Sequence, residues 1–193
     1  DLSVDVRERL SIELADCVVF PSKYLENLYL RTGGFLPRRH VFQPYPTDLV
    51  EADLLETQFG KVTTLVFYGK HTEHKGYFDF CQAILDLFGN PSYEWACAKI
   101  KKIVILGSTA PDERLFKLKG IEIECGVFSR DEALEKLHAF APHSLVVMPY
   151  KGDNHPLSTF EVINSNSQFL AYNAGGLPEQ LPTELHAQVL CEP

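Results

Sequence analysis

A doubly wound α/β sheet with parallel strands is the fold that the sequence predicts, and three observations carry the prediction. Apolar segments of four to seven residues, rich in β-branched side chains, recur along the chain, and helical patterns separate them. Strands that are apolar on both faces belong to parallel sheets covered by helices on both sides, with right-handed crossovers. Several of these segments stop at glycine, at Gly69, Gly107, Gly126 and Gly152. In a Rossmann-like sheet ligands bind outside the carboxyl ends of the strands, so these glycines mark where chemistry is to be sought. Finally, 193 residues with 45% hydrophobic and 23% charged side chains make a globular chain of one ordinary domain, or of one domain and a piece of another.

The elements follow in order. Residues 3–14 mix Val4, Val6, Leu10, Ile12 and Leu14 with charges in a helical pattern of fair periodicity. Ala15 to Ser22 reads as a short buried strand halted by Pro21, and Ser22 caps a helix over Lys23–Arg31 that Gly33-Gly34 ends. His40 to Gln43 is another short strand, and Pro44-Tyr45-Pro46 opens a connector reaching about Gly60. Thr63 to Tyr68 is a strand, and Gly76 to Phe88 is an amphipathic helix with Phe80, Ala83, Ile84 and Leu87 on one face. Strands at Ile103–Leu106 and Ile121–Cys125 come next. Ser129 with Glu132 three residues later is a capping box for a helix over Asp131–Phe140. A strand at Ser144–Tyr150, a helix from Pro156 to about Ser165, a strand at Gln168–Tyr172, a helix after Pro178 and a strand at Ala187–Cys191 complete the series. The shift in composition over residues 44–60 is the best domain boundary.

A formal charge of −8 argues against a general nucleic-acid or membrane-surface binder, since phosphate-rich partners would meet net repulsion. Any phosphate site must be local. Cys17, Cys81, Cys97, Cys125 and Cys191 are odd in number, widely spaced and mostly set in apolar runs, so they read as reduced core residues; neither disulfides nor a metal site are expected. No apolar run approaches the length of a transmembrane helix and no signal peptide is recognisable, which points to a cytoplasmic protein. Asp1 opens straight into a helical pattern, as in an excised fragment or a processed chain.

Three stretches could carry chemistry. In Gly152-Asp153-Asn154-His155-Pro156-Leu157-Ser158-Thr159-Phe160-Glu161, Pro156 sits where a first helical residue belongs, with Asn154 or His155 as its cap. Such a junction offers backbone N–H groups to an anion, and Asp153 and Glu161 frame it with carboxylates able to accept hydroxyls. They fit equally as a turn residue and a first-turn carboxylate favoured by the helix dipole. Tyr68-Gly69-Lys70-His71-Thr72-Glu73-His74-Lys75-Gly76 is a local cationic loop in an acidic chain; Lys70 and Lys75 could neutralise a diphosphate, or simply be solvated. Its spacing is not that of a P-loop, and no GxGxxG follows the first strand. Ala174-Gly175-Gly176-Leu177-Pro178-Glu179 allows either close ligand approach or an ordinary helix connection. No Ser-His-Asp or Cys-His spacing supports a nucleophile.

Taken together, Gly69-Lys70, Lys75-Gly76, Asp153-x7-Glu161 and Gly175-Gly176-Leu177-Pro178-Glu179, fourteen residues beyond Glu161, resemble the motifs of the retaining nucleotide-sugar glycosyltransferases of the GT-B fold, the group 1 family. Ala15-Asp16-Cys17-Val18-Val19-Phe20-Pro21-Ser22 is similar to the last strand of that family's first domain. The resemblance is specific in the second half of the chain and looser in the first. The chain departs from the family's pattern with Asp153 for the usual first glutamate, Asn166 for a glycine, Gln168 for a proline, Asn173 for an aspartate, and Tyr45-Pro46 for an Asn-Gly linker turn. Asparagine tolerates the left-handed conformation that the glycine would adopt.

The resemblance implies the C-terminal half of a GT-B fold: residues 1–48 as the tail of an N-terminal acceptor domain, 49–60 as a linker and 61–193 as a truncated nucleotide-sugar-binding domain. It implies retaining transfer of a glycosyl group from a nucleotide diphosphate sugar to the hydroxyl of an unidentified acceptor (glycan, lipid, protein or small molecule). It further implies no metal and no cofactor beyond the substrate, and little turnover by this chain alone. Lys70, Lys75 and Asp153 take the catalytic positions. Gly69, Lys70, Lys75, Val127, Phe128, Asp153, Asn154, His155, Pro156, Leu157 and Glu161 line the donor, with the lysines on the diphosphate, Glu161 on the ribose, Asp153 on the sugar and Val127 with Phe128 beside the base. The alternative is a glycosyltransferase-like interaction domain that has lost transfer; a sugar-nucleotide epimerase of the same fold explains the motifs less well.

Overall fold

A computed structural model of the chain describes residues 2–46, 62–107 and 112–193, so the expected linker at 49–60 lies outside the described residues. In chain order the elements are α1 (Leu2–Glu13), β1 (Val18–Phe20), α2 (Lys23–Arg31), β2 (His40–Phe42), β3 (Thr64–Tyr68), α3 (Tyr77–Gly89), α4 (Glu94–Cys97), β4 (Lys102–Gly107) and β5 (Glu122–Val127). They continue with α5 (Arg130–Phe140), β6 (Ser144–Met148), α6 (Leu157–Asn164), β7 (Gln168–Tyr172), α7 (Thr183–Val189) and β8 (Leu190–Cys191).

Six strands form one sheet in the order β5-β4-β3-β6-β7-β8, and every pairing is parallel. All five residues of β3 are buried, and Val66 at its centre lies opposite Val104 on one side and Val146 on the other. Strand order reverses direction between β3 and β6, the kind of switch point at which a doubly wound sheet forms its ligand crevice.

Alternation along the strands explains why they are apolar throughout. Val66, Tyr68, Val104, Leu106, Val146 and Met148 face a core completed by Ala133 and Leu137 of α5, Val162 and Ile163 of α6, and Leu177. Leu65, Phe67, Ile103 and Ile105 face the opposite core with Tyr77, Phe80, Cys81 and Ile84 of α3. With a side-chain period of two, both sets must be hydrophobic when helices cover both faces.

β1 and β2 form a separate two-stranded parallel sheet. Ser22 caps α2 as expected, its Oγ accepting from the Leu25 N–H. The same helix start is held from the far end of the chain: the Glu179 carboxylate accepts the N–H groups of Lys23 at 2.7 Å and Tyr24 at 2.6 Å. Two amides that the helix itself cannot satisfy are thereby paired with a charge.

Several boundaries differ from expectation for local reasons. β6 ends at Met148 rather than Tyr150, because Pro149 offers no N–H to the ladder and the Tyr150 N–H turns back to the Met148 carbonyl at 2.9 Å. Pro156 is the N-cap of α6, not its first helical residue, and neither Asn154 nor His155 caps it. After Pro178 the chain makes a single 3₁₀ turn, Pro178–Gln180, and α7 begins only at Thr183. Residues 187–189 continue α7, leaving β8 just Leu190 and Cys191. A 3₁₀ turn at Pro91–Tyr93 and the short α4 were not anticipated; Asn90 Oδ1 accepts the Ser92 N–H to start them. Asn166 does take the left-handed conformation, with φ 55°.

Candidate functional site

At the switch point between β3 and β6, glycines let the two loops that leave these strands touch. Gly69 closes β3, its N–H bonded to the Leu106 carbonyl at 3.0 Å, and the following loop folds on itself through Thr72 N–H to Lys70 O and Gly76 N–H to Glu73 O. At Gly76 φ is +65°, and a Cβ there would lie 1.8 Å from the Pro149 carbonyl oxygen. Only glycine fits, so the loop after β3 lies directly on the loop after β6. The Lys151 N–H donates to His74 O at 2.9 Å across the same seam.

That contact brings Lys75 to Asp153. Their side chains form an ion pair, each about one-quarter exposed, and Lys75 Nζ stands 4.1 Å from the centre of the Tyr150 ring. Tyr150 is fully buried; its hydroxyl donates to the Tyr68 carbonyl and meets Ser158 Oγ at 3.1 Å. One tyrosine thus ties the end of β3 to the first turn of α6 and gives Lys75 an aromatic face to rest on.

Glu161 lies one turn further along α6, its side chain 15% exposed. The Tyr68 hydroxyl donates to Glu161 Oε2 at 2.5 Å, and Arg130 Nε donates to Oε1 at 2.7 Å. Burial, and then the bond to Glu161, push the Tyr68 phenol well above its ordinary pKa, so at neutral pH it is a fixed donor. Arg130 opens α5 within the Ser129–Glu132 capping box, which is present as expected.

The paired glycines have a different role from close ligand approach. The Gly176 N–H donates to the Asp153 carbonyl at 2.8 Å; a Cβ on Gly175 would lie 2.5 Å from that oxygen, and one on Gly176 would lie 1.9 Å from the Asn154 carbonyl oxygen. Gly175 and Gly176 cradle the chain's own backbone and so set the position of Asp153. Glu179 of the same motif serves α2.

The remaining candidates divide. Lys70, Asn154, Val127 and Leu157 are exposed, Val127 by 73% and Leu157 by 51%. Phe128 packs against the α5 side of the core and over Gly126, with Lys136 Nζ 4.8 Å from its ring centre. His155 is buried: its ring meets Tyr45 edge-on at 5.2 Å, and Gln180 Nε2 donates to its Nδ1 at 3.0 Å. Burial lowers its pKa, and an accepting Nδ1 makes it a neutral imidazole with its proton on Nε2.

Contacts therefore join Lys75, Asp153 and Glu161 through Tyr150, Ser158 and Tyr68, with Arg130 at the rim; among the described residues no side-chain contact joins Lys70 or Val127 to this group. Sequence reasoning missed Tyr68, Tyr150 and Arg130. The available signal was positional, since Tyr68 immediately precedes Gly69, Tyr150 lies two residues before Gly152, and Arg130 is the first residue of the capping-box helix. Among the described residues no group of three or more His, Cys, Asp or Glu is placed to hold a metal ion, and no helix is long and apolar enough to cross a membrane.

No protein-family profile and no curated protein matches the sequence. Solved structures do resemble it. Sucrose-phosphate synthase from Thermosynechococcus elongatus superposes with a TM-score of 0.69 at 18% identity, over 100% of this chain and 49% of that one. HepE from Anabaena, solved with UDP and glucose, gives 0.67 at 14% identity over 100% of this chain and 53% of its own. The pneumococcal O-GlcNAc transferase GtfA, solved with UDP and GlcNAc, gives 0.65 at 12% identity over 97% of this chain and 36% of its own. The chain spans about half the length of these structures or less. The fold is that of the C-terminal half of the GT-B glycosyltransferases.

Proposed function

We propose that the crevice between β3 and β6 holds a nucleotide diphosphate sugar and that the chain is the donor-binding part of a retaining glycosyltransferase. The observation that carries this reading is the meeting, at the topological switch point, of a phosphate-suited lysine with a sugar-suited carboxylate, Lys75 with Asp153, beside a second carboxylate, Glu161, held by Tyr68 and Arg130. UDP in two of the structural neighbours supports it.

In this reading the diphosphate lies against Lys75, with Lys70 at the outer side and the uncapped first turn of α6 contributing N–H groups and its positive dipole end. As the glycosidic bond to the leaving phosphate lengthens, negative charge grows on the diphosphate while the anomeric carbon becomes cationic. Lys75 and the α6 start stabilise that charge without reorganising, because Tyr150 and the glycine seam fix them in place. Asp153 accepts a hydroxyl of the transferred sugar, Glu161 accepts the ribose hydroxyls, and Val127 with Phe128 flanks the base. Asn154, His155, Pro156 and Leu157 present backbone to the donor. Because the chain spans only about half the length of these neighbours, in this reading it binds donor and turns over little by itself. A cytoplasmic setting is part of this reading, although of the five cysteines expected in the core Cys81 alone is buried, while Cys17 and Cys191 are exposed.

A second reading, a glycosyltransferase-like domain that has lost transfer, is favoured by Asp153, whose short carboxylate is already committed to Lys75. Thermal-shift screening with UDP, GDP, ADP and their sugars tests donor binding, since a ligand bound to the folded state alone raises the midpoint. A shift with one nucleotide family supports the first reading; no shift with any removes it. Product analysis on a nucleotide-sugar panel, with the complete protein, separates transfer from its loss.

A further inference from the structure

Glu161 accepts one hydrogen bond on each oxygen, from groups of different character. Tyr68 is the last residue of β3, buried in the core, and its carbonyl receives the Tyr150 hydroxyl, so its backbone and ring are both fixed. Its phenol donates to Oε2. Arg130, whose side chain is 73% exposed, donates through Nε to the other oxygen, Oε1. A carboxylate oxygen has two acceptor directions, so each oxygen keeps one for a ligand. A vicinal diol offers two O–H donors to that remaining pair. Carboxylate torsions are otherwise broad and soft, so a carboxylate held on both oxygens is oriented in a way a lone one is not.

We propose that Tyr68 is a positioning residue which, with Arg130, orients Glu161 to read the 2′- and 3′-hydroxyls of a ribose and so makes the crevice selective for ribonucleotides over 2′-deoxyribonucleotides. This rests on the nucleotide-sugar reading above. Tyr68 is the stronger of the two supports: it donates out of a dry core from a rigid ring, whereas the Arg130 pair is exposed to water and salt.

Titration calorimetry with matched pairs tests the proposal: UDP against 2′-deoxy-UDP, and the same for GDP and ADP, on the unaltered chain, Tyr68→Phe and Arg130→Met. The unaltered chain is expected to prefer the ribose member of its best pair by about tenfold, the scale of a hydrogen bond to a charged group. Tyr68→Phe is expected to bring that ratio to within about twofold by weakening the ribose member while the deoxy affinity holds, and Arg130→Met to lower it by about threefold, more in low salt than in high. If Tyr68→Phe does not fold, Arg130→Met, at an exposed position, decides: a ratio that falls by only about threefold leaves Tyr68 as the main support, and a ratio lost entirely makes Arg130 that support and overturns the role of Tyr68. Retention of the full ratio in the folded variants, or an equal loss for both members of a pair, overturns the positioning role. A ratio near one in the unaltered chain overturns it as well while leaving donor binding standing. Failure of every nucleotide to bind the unaltered chain overturns the donor reading and this inference with it.

Discussion

Tyr68 and Glu161, 93 residues apart in the chain, meet at 2.5 Å where β3 ends and α6 has completed its first turn. The bond joins the two elements that flank the switch point of the sheet, and Tyr150 braces it from below by donating to the Tyr68 carbonyl. Each partner is placed by a core, since Tyr68 packs with Val66, Val104 and Val162 in the cluster beneath α5 and α6.

Removing the phenol oxygen takes one partner from a mostly buried carboxylate. Tyr68→Phe is expected to lower unfolding free energy by about 1–2 kcal/mol, measured as a shift in urea midpoint with an unchanged slope.

Gly76 and Gly120 separate backbone strain from steric closure. Both have positive φ, +65° and +76°, but a Cβ on Gly120 meets nothing within 4 Å while one on Gly76 would strike the Pro149 carbonyl. Gly120→Ala is expected to cost about 1 kcal/mol, and Gly76→Ala about 1–3 kcal/mol more because the seam between the loops must open. Thermal midpoints rank the two, and only Gly76→Ala is expected to weaken nucleotide binding as well.

Glu179 holds the start of α2 through two amides. Glu179→Ala is expected to destabilise that junction by about 1 kcal/mol and to speed hydrogen exchange at the Lys23 and Tyr24 amides while the six-stranded core keeps its protection.

His155 predicts an acid limb of stability. Burial lowers its folded pKa beneath the ordinary histidine value, with Asp153 and Glu179 acting in the opposite direction. The unfolded chain therefore binds more protons than the folded one below about pH 6.5, and stability falls as pH falls through that window. His155→Phe keeps a ring against Tyr45 and Phe160 and is expected to flatten the slope below about pH 6.5, read from urea midpoints across pH.

Much of this fold is local and was legible in the sequence. The Ser22 cap, the Ser129–Glu132 box, the left-handed Asn166 and the strand over Gln168–Tyr172 each follow from a few neighbouring residues. Some boundaries were not: β6 stops early at Pro149, where the ladder loses an N–H, and α7 runs through residues expected to be strand. The glycines were visible as glycines, but a sequence does not say whether a ligand or the chain's own carbonyl comes close, and at Gly176 it is the Asn154 carbonyl. Lys75, Asp153 and Glu161 came from motif spacing. Tyr68, Tyr150 and Arg130 came only from the structure, because the bonds Tyr68–Glu161, Arg130–Glu161 and Tyr150–Tyr68 span 31 to 93 residues.

Donor binding through Lys75 is the claim on which the functional account turns, and titration calorimetry of the unaltered chain and of Lys75→Ala with UDP, GDP and ADP tests it most directly. The account predicts that one nucleoside diphosphate binds the unaltered chain and that Lys75→Ala weakens it by about tenfold or more while the thermal midpoint moves little. Equal affinity in the two proteins, or no binding by the unaltered chain, would contradict it.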